Sequence, residues 1–171
     1  PAETKAAIVT CGGLSPGLND LIRAIVMQLY HKYGVEHILG IRFGYKGLNP
    51  ANWLEPLKLH PTDVERIHEL GGTLLGSSRG HEEPEVMVNT LEKLGINILF
   101  CIGGDGTLRG ADAIWQTAEK RGLKVSIIGI PKTIDNDICY VTKTFGFDTA
   151  VSEARQALQC AHVEARGAPN G

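Results

Sequence analysis

The sequence predicts an α/β fold built on a doubly wound, mostly parallel sheet. Three observations predict it: apolar runs that suit strands covered on both faces, amphipathic helical stretches between them, and glycine clusters where one gives way to the next. The clearest runs are Ala6 to Thr10, Ile96 to Ile102 and Val125 to Ile130, apolar at nearly every position rather than at alternate ones. A fourth, Val35 to Phe43, is more mixed.

The helices follow from period and punctuation. From Leu18 to Tyr33, the residues Leu18, Leu21, Ile22, Ile25, Val26 and Leu29 form one stripe, and Gly34 ends it. Thr62, with Glu65 three residues on, makes a capping box that predicts a helix to Leu70. Pro84 to Leu94 has proline in its first turn and Gly95 at its end. Leu108 to Arg121 runs to Gly122, and a last helix, Thr149 to Ala165, is expected to be capped by Asp148 or Thr149.

A chain of 171 residues at net charge −2 is expected to form one domain, with no basic stretch to bind nucleic acid or a membrane surface. No apolar stretch reaches membrane-spanning length and no signal-peptide pattern opens the chain, so a cytoplasmic protein is expected. It begins at Pro1 without a methionine, which reads as a trimmed or partial chain. The four cysteines, Cys11, Cys101, Cys139 and Cys160, show no CxxC spacing and are expected to be buried free thiols. Trp53 and Trp115 read as packing residues, and His81 as a plain surface residue.

Ligands of such sheets bind beyond the carboxyl ends of the strands, where three loops stand out. In Cys11-Gly12-Gly13-Leu14-Ser15-Pro16-Gly17-Leu18-Asn19, paired glycines allow backbone amides to approach a phosphate ahead of a helix N-terminus; a tight strand-to-helix turn is an equal reading. Gly103-Gly104-Asp105-Gly106-Thr107 sets a carboxylate and a hydroxyl among glycines, which suits a hydrated magnesium ion carried on a nucleotide better than a simple helix cap. In Pro131-Lys132-Thr133-Ile134-Asp135-Asn136-Asp137, an extended backbone would point Asp135 and Asp137 toward one pocket as general base and metal support; a polar turn is the alternative. Gly76-Ser77-Ser78-Arg79-Gly80 adds an arginine whose fork suits phosphate, though spacing alone makes it a solvated side chain.

Taken together, GGLSPGLN at 12–19, GSSRG at 76–80, GGDGT at 103–107 and PKTIDND at 131–137 resemble the phosphofructokinases in order and spacing, over nearly the whole chain. GGDGT alone is shared with NAD kinases and lipid kinases; TIDND following it at this distance is specific. The resemblance implies a Rossmann-like domain and phosphoryl transfer to the 1-hydroxyl of fructose 6-phosphate, by an allosteric enzyme of glycolysis. It implies that Asp135 accepts the hydroxyl proton, that Thr133 and Ile134 contact the sugar or the transferred phosphate, and that Asp137 supports the site. Asp105 would be the Mg2+-linked aspartate. Gly12, Gly13, Gly104, Gly106 and Thr107 would line the donor phosphates, and Arg79 with Gly80 would steady the transferring group. Positioning and charge neutralisation are what such a transfer asks of a protein.

Donor choice falls on Gly106 and Lys132. Pyrophosphate-using relatives carry an aspartate and a lysine there, and bacterial ATP enzymes two glycines. Glycine with lysine resembles the ATP-dependent branch of plants and trypanosomatids, so ATP is the expected co-substrate. A pyrophosphate-dependent enzyme and a non-catalytic nucleotide-binding module are the alternatives. Family members continue into a second region that supplies most sugar-phosphate contacts. Residues 1–171 therefore read as the donor domain, with the sugar-phosphate domain mostly absent. The full-length form is expected to be a homo-oligomer, a tetramer.

Overall fold

A computed structural model describes residues 3–170. Strand β1 (Lys5–Thr10) leads into helix α1 (Leu18–Met27), followed by β2 (His37–Ile41), a short β3 (Leu57–Lys58), α2 (Pro84–Leu94), β4 (Ile98–Gly103), α3 (Asp105–Lys120), β5 (Ser126–Pro131) and α4 (Phe147–Gly167). The sheet order is β3-β2-β1-β4-β5. Every pairing is parallel except β2 with β3, so the expected doubly wound α/β sheet is present. The chain leaves β1 toward β2 and leaves β4 toward β5, in opposite directions. The strand order therefore reverses between β1 and β4, and a crevice opens there at their carboxyl ends.

Alternation along β1 divides the core. Ala7 and Val9 join Leu99 and Cys101 under α2 and α3, which contribute Met87, Val88, Leu91 and Ile114. Ala6 and Ile8 face α1 and the 59–75 segment, packing with Leu18, Ile22, Val26, Val64 and Leu75. Fully buried side chains such as Ile8, Leu99 and Ile114 each contribute about 1.5–3 kcal/mol.

Several expectations are corrected. The capping box at Thr62 opens no α-helix: the segment is turns and a 3-10 turn at Ile67–Glu69. The Thr62 hydroxyl is engaged elsewhere, pairing with His60 Nδ1 at 3.0 Å, and the neighbouring Asp63 accepts the His60 N–H at 2.8 Å. Arg23 Nε takes the Glu65 carbonyl at 3.1 Å, so Glu69 N–H bonds to Arg66 instead. The first helix ends at Met27 and continues as a π-helical turn, Gln28–Lys32. The helix expected from Leu108 starts at Asp105, which puts Gly106 and Thr107 inside it. The last helix is capped by Gly146 in a left-handed conformation, not by Asp148 or Thr149, because the Asp148 carboxylate accepts from Lys143 Nζ at 2.8 Å. Trp53 is 90% exposed and Trp115 is exposed too, so neither is a core packing residue. Cys11 and Cys101 are buried thiols, whereas Cys139 and Cys160 are exposed. No described helix is long and apolar enough to cross a membrane.

Candidate donor-phosphate site

Parallel pairing sets the glycine loops side by side. Thr10 pairs with Ile102 and Gly103 with Pro131, so residues 11–13, 104–106 and 132 emerge together at the strand-order reversal. Cys11 N–H donates to Ile102 O at 2.9 Å and Lys132 N–H to Gly103 O at 2.8 Å, extending the ladder into the loops. A cavity of about 610 Å³ opens above them, lined by Gly12, Gly13, Arg79, Gly80, Gly104, Asp105, Gly106, Thr107 and Lys132. The structure thus brings nearly all the residues expected to hold the donor into one place.

Two cations converge on the first loop. A Cβ placed on Gly12 would stand 3.8 Å from Lys132 Nζ, and one on Gly13 would stand 3.6 Å from an Arg79 guanidinium nitrogen. Lys132 is only 7% exposed, and no ion pair to it occurs among the described residues. Burial pushes its pKa below the ordinary lysine value, and the Arg79 charge pushes the same way, against an opposite pull from Cys11. Gly104 precedes α3 without any side-chain cap, so the positive end of that helix also faces the cavity. Buried or unpaired positive charge around a hollow with glycine walls suits an anion with several oxygens.

Gly106 has ordinary φ and a Cβ there would meet nothing within 4 Å. Neither backbone geometry nor packing within the chain requires glycine at this position. Gly103 differs, because a Cβ there would overlap the buried Thr107 side chain. The Thr107 side chain is thereby packed inward against Gly103.

A second cavity of about 460 Å³ lies beside the first and shares Gly104, Asp105 and Lys132 with it, adding Thr133, Asp137 and Cys139. The expected extended segment is bent here, with Asn136 at a φ of 53°. Thr133 Oγ1 donates to Asp137 Oδ1 at 2.8 Å and accepts the Asp135 N–H at 3.1 Å. Asp137 therefore borders the cavity with Asp105, while Asp135 and Ile134 are exposed and border neither. Asp135 and Asp137 do not point into one pocket; the local turn separates them. The polar turn of the alternative reading is present as the Thr133 turn, while Asn136 Oδ1 accepts from Thr144 N–H, eight residues on, at 2.8 Å and makes no Asx turn.

A family model described as phosphofructokinase matches residues 5–170. The chain belongs to the phosphofructokinase family. It is 52% identical over 171 residues to the ATP-dependent 6-phosphofructokinase of Trypanosoma brucei brucei, covering 100% of this chain and 35% of that protein. The enzyme of the same name from Entamoeba histolytica is 53% identical over 171 residues, covering 100% of this chain and 39% of its own length. Among solved structures, phosphofructokinase from Saccharomyces cerevisiae superposes with a TM-score of 0.77 at 26% identity, over 96% of this chain and 24% of that one. A pyrophosphate-dependent phosphofructokinase from Nitrosospira multiformis reaches 0.79 at 20% identity over 96% of this chain and 44% of that one, a likeness of fold. The chain spans about a third of the length of these curated relatives.

The cavity of this phosphofructokinase chain has two wall residues that no sequence signal singled out, Tyr45 and Arg109, and Ser78 and His81 also border it. Tyr45 sits between Gly44 and Gly47, a glycine spacing that marks a close approach, and its hydroxyl donates to Thr107 O at 2.7 Å. Burial raises the Tyr45 hydroxyl well above its ordinary value and pushes the Cys11 thiol up to about 11 and the Cys101 thiol up to about 12. The Cys11 thiol and the Tyr45 hydroxyl thus form a neutral stretch of the cavity wall, and Cys101 is fully buried. His81 is exposed as expected, though at the rim of the cavity. A larger apolar groove of about 680 Å³ between α1 and β4–β5 includes none of the glycine-loop residues.

Proposed function

We propose that this chain forms the donor-phosphate site of an ATP-dependent 6-phosphofructokinase, which transfers the terminal phosphoryl group of Mg-ATP to the 1-hydroxyl of fructose 6-phosphate in glycolysis. The observation that carries the reading is the meeting of Lys132, Arg79 and the uncapped N-terminus of α3 on one glycine-lined cavity. The names of the half-identical relatives support the donor.

In this reading the amides of the Gly12-Gly13 loop and of the first turn of α3 receive the donor phosphates, with Lys132 and Arg79 neutralising their charge. Gly106 is open because a nucleotide needs the space, and an aspartate there would repel its phosphates. Hard oxygen donors fit magnesium, and a nucleotide-borne ion needs only one or two protein carboxylates. Asp105 would hold it, with Asp137 across the second cavity. The ion, when bound, supplies charge neutralisation at the donor phosphates. Asp135 takes the proton of the attacking sugar hydroxyl as the O–P bond forms and ADP leaves. Thr133 positions the acceptor side. Gly80 lines the donor end beside Arg79, and Ile134, outside both cavities, would contact the sugar on the acceptor side.

The same reading takes residues 1–171 as one donor domain of a cytosolic homotetramer, with most sugar contacts made elsewhere in the assembly. The threefold greater length of the relatives supports that division. Thermal unfolding tests the donor assignment. Saturating Mg-ATP at about 100 times its Kd should stabilise the chain by about 2.7 kcal/mol. A rise with Mg-pyrophosphate and none with Mg-ATP would transfer the assignment to the pyrophosphate-dependent branch.

A further inference from the structure

Arg79 reaches the donor cavity from residues 70–80, a stretch of turns and bends with no helix or strand of its own. Such a loop is expected to move unless side chains tie its backbone down. Two buried residues with no role in the donor reading do so.

Asn19, in the first turn of α1, is 3% exposed. Its Nδ2 donates to Leu70 O at 2.9 Å and its Oδ1 accepts the Leu74 N–H at 2.7 Å, so one amide closes the loop across Gly71-Gly72. Thr10, at the end of β1, is fully buried. Its Oγ1 lies 2.8 Å from Gly76 O as donor and 2.9 Å from Thr73 Oγ1. The Thr73 hydroxyl in turn accepts the Leu75 N–H at 3.2 Å. Beyond this point the loop is joined to the glycine loop itself: Ser77 Oγ donates to Gly12 O at 2.7 Å, and Gly12 N–H donates to Ser78 O at 3.0 Å. Ser78 Oγ donates to Phe43 O at 2.6 Å, anchoring the far side. Buried polar groups bonded this fully define a single geometry, and losing one partner leaves the others unpaired in a dry setting.

We propose that Thr10 and Asn19 are positioning residues for Arg79. They flank the glycine loop in sequence, at its strand and helix ends, and hold the 70–80 loop so that the guanidinium stands against Gly13. The two phosphate-binding segments then move as one unit. The proposal rests on the donor reading of the cavity for its ligand, but its geometry can be read without any ligand.

Two measurements on the whole chain test it. Thr10→Val keeps the shape of the side chain and removes the hydroxyl, and Thr10→Ser restores the hydroxyl. Thr10→Val should weaken Mg-ATP binding about tenfold in the native background. In an Arg79→Ala background the same change should cost less than about twofold, because the residue acts through Arg79. Thr10→Ser should bind within about twofold of the native chain. Equal losses in both backgrounds would show a purely structural role and overturn the proposal. Separately, phenylglyoxal modification of Arg79 without nucleotide, followed by peptide mass spectrometry, should accelerate severalfold in Thr10→Val and in Asn19→Leu. An unchanged rate in folded Thr10→Val overturns the proposal. A chain that binds no Mg-ATP yet shows the acceleration refutes the donor reading while leaving the clasp in place.

Discussion

The loops after β1 and β4 and the segment after β5 border adjoining cavities, yet they are held by different means. The first two grow out of buried parallel strands, and their wall is made by Cys11, Tyr45 and Thr107, all packed into the core. The 133–146 segment is tied mainly to itself, through Thr133 to Asp137 and Asn136 to Thr144, and leads into α4, which buries none of its residues. Charge follows the division only in part: Lys132, Arg79 and a helix N-terminus surround the first cavity and Asp137 lies on the loosely held side, while the exposed Asp105 carboxylate lines both cavities. The proposed donor part of the site is therefore organised by the sheet, whereas the proposed proton acceptor, Asp135, takes its position from a turn. The proposed phosphoryl transfer, which binds a polyanion firmly and admits a second substrate, would gain from that separation.

Thiol chemistry sharpens the contrast most. At neutral pH, Cys11, with its pKa pushed from 9.0 up to about 11, carries about a hundredfold less thiolate than an ordinary cysteine, and its burial adds to this. Iodoacetamide should label the exposed Cys139 and Cys160 at least about a hundredfold faster than Cys11 and Cys101 in the native chain. Comparable rates, read by mass spectrometry, would mean that the wall of the donor cavity opens. Next in size, Asp105→Ala should weaken Mg-ATP binding about thirtyfold, and the loss should vanish when magnesium is omitted.

Lys132→Met should weaken binding about tenfold. The pH dependence follows from the sign of the shift. Burial lowers the free Lys132 pKa below 10.5, and a bound phosphate favours the charged form and raises it again. Binding should then be accompanied by proton uptake, and affinity should fall as pH rises through that lowered pKa toward 10.5. Without ligand the same shift makes the folded chain gain stability over that window, since the unfolded lysine holds its proton longer. Calorimetry in buffers of different ionisation heat, with and without Lys132, separates this contribution. The smallest effect belongs to the other region: Asp135→Asn should change Mg-ATP affinity by less than about twofold, because Asp135 borders neither cavity. A tenfold loss would place that carboxylate on the donor.

Much of this was legible in the residues. Continuous apolar runs such as Ala6 to Thr10 mark strands covered on both faces, and the glycine pairs fall where those strands end. What periodicity and capping rules missed was competition for hydrogen bonds. In the Thr62–Glu65 signature the Thr62 hydroxyl pairs with His60 and the Glu65 carbonyl accepts from Arg23 rather than from a helical N–H. Asp148 leaves its capping role for Lys143. The orientation of Asp135 depended on one left-handed residue, Asn136, which an extended reading does not anticipate. Tyr45 and Asn19 became visible only in three dimensions, since each acts on backbone far away in sequence.

Calorimetric titration of Mg-ATP and Mg-pyrophosphate into the native chain and into Gly106→Asp tests the central claim most directly. The account predicts that the native chain binds Mg-ATP and that Gly106→Asp weakens it at least about thirtyfold while leaving Mg-pyrophosphate within about threefold. Equal Mg-ATP affinity in the two proteins, or no binding by the folded native chain, would contradict a nucleotide-phosphate site at this cavity.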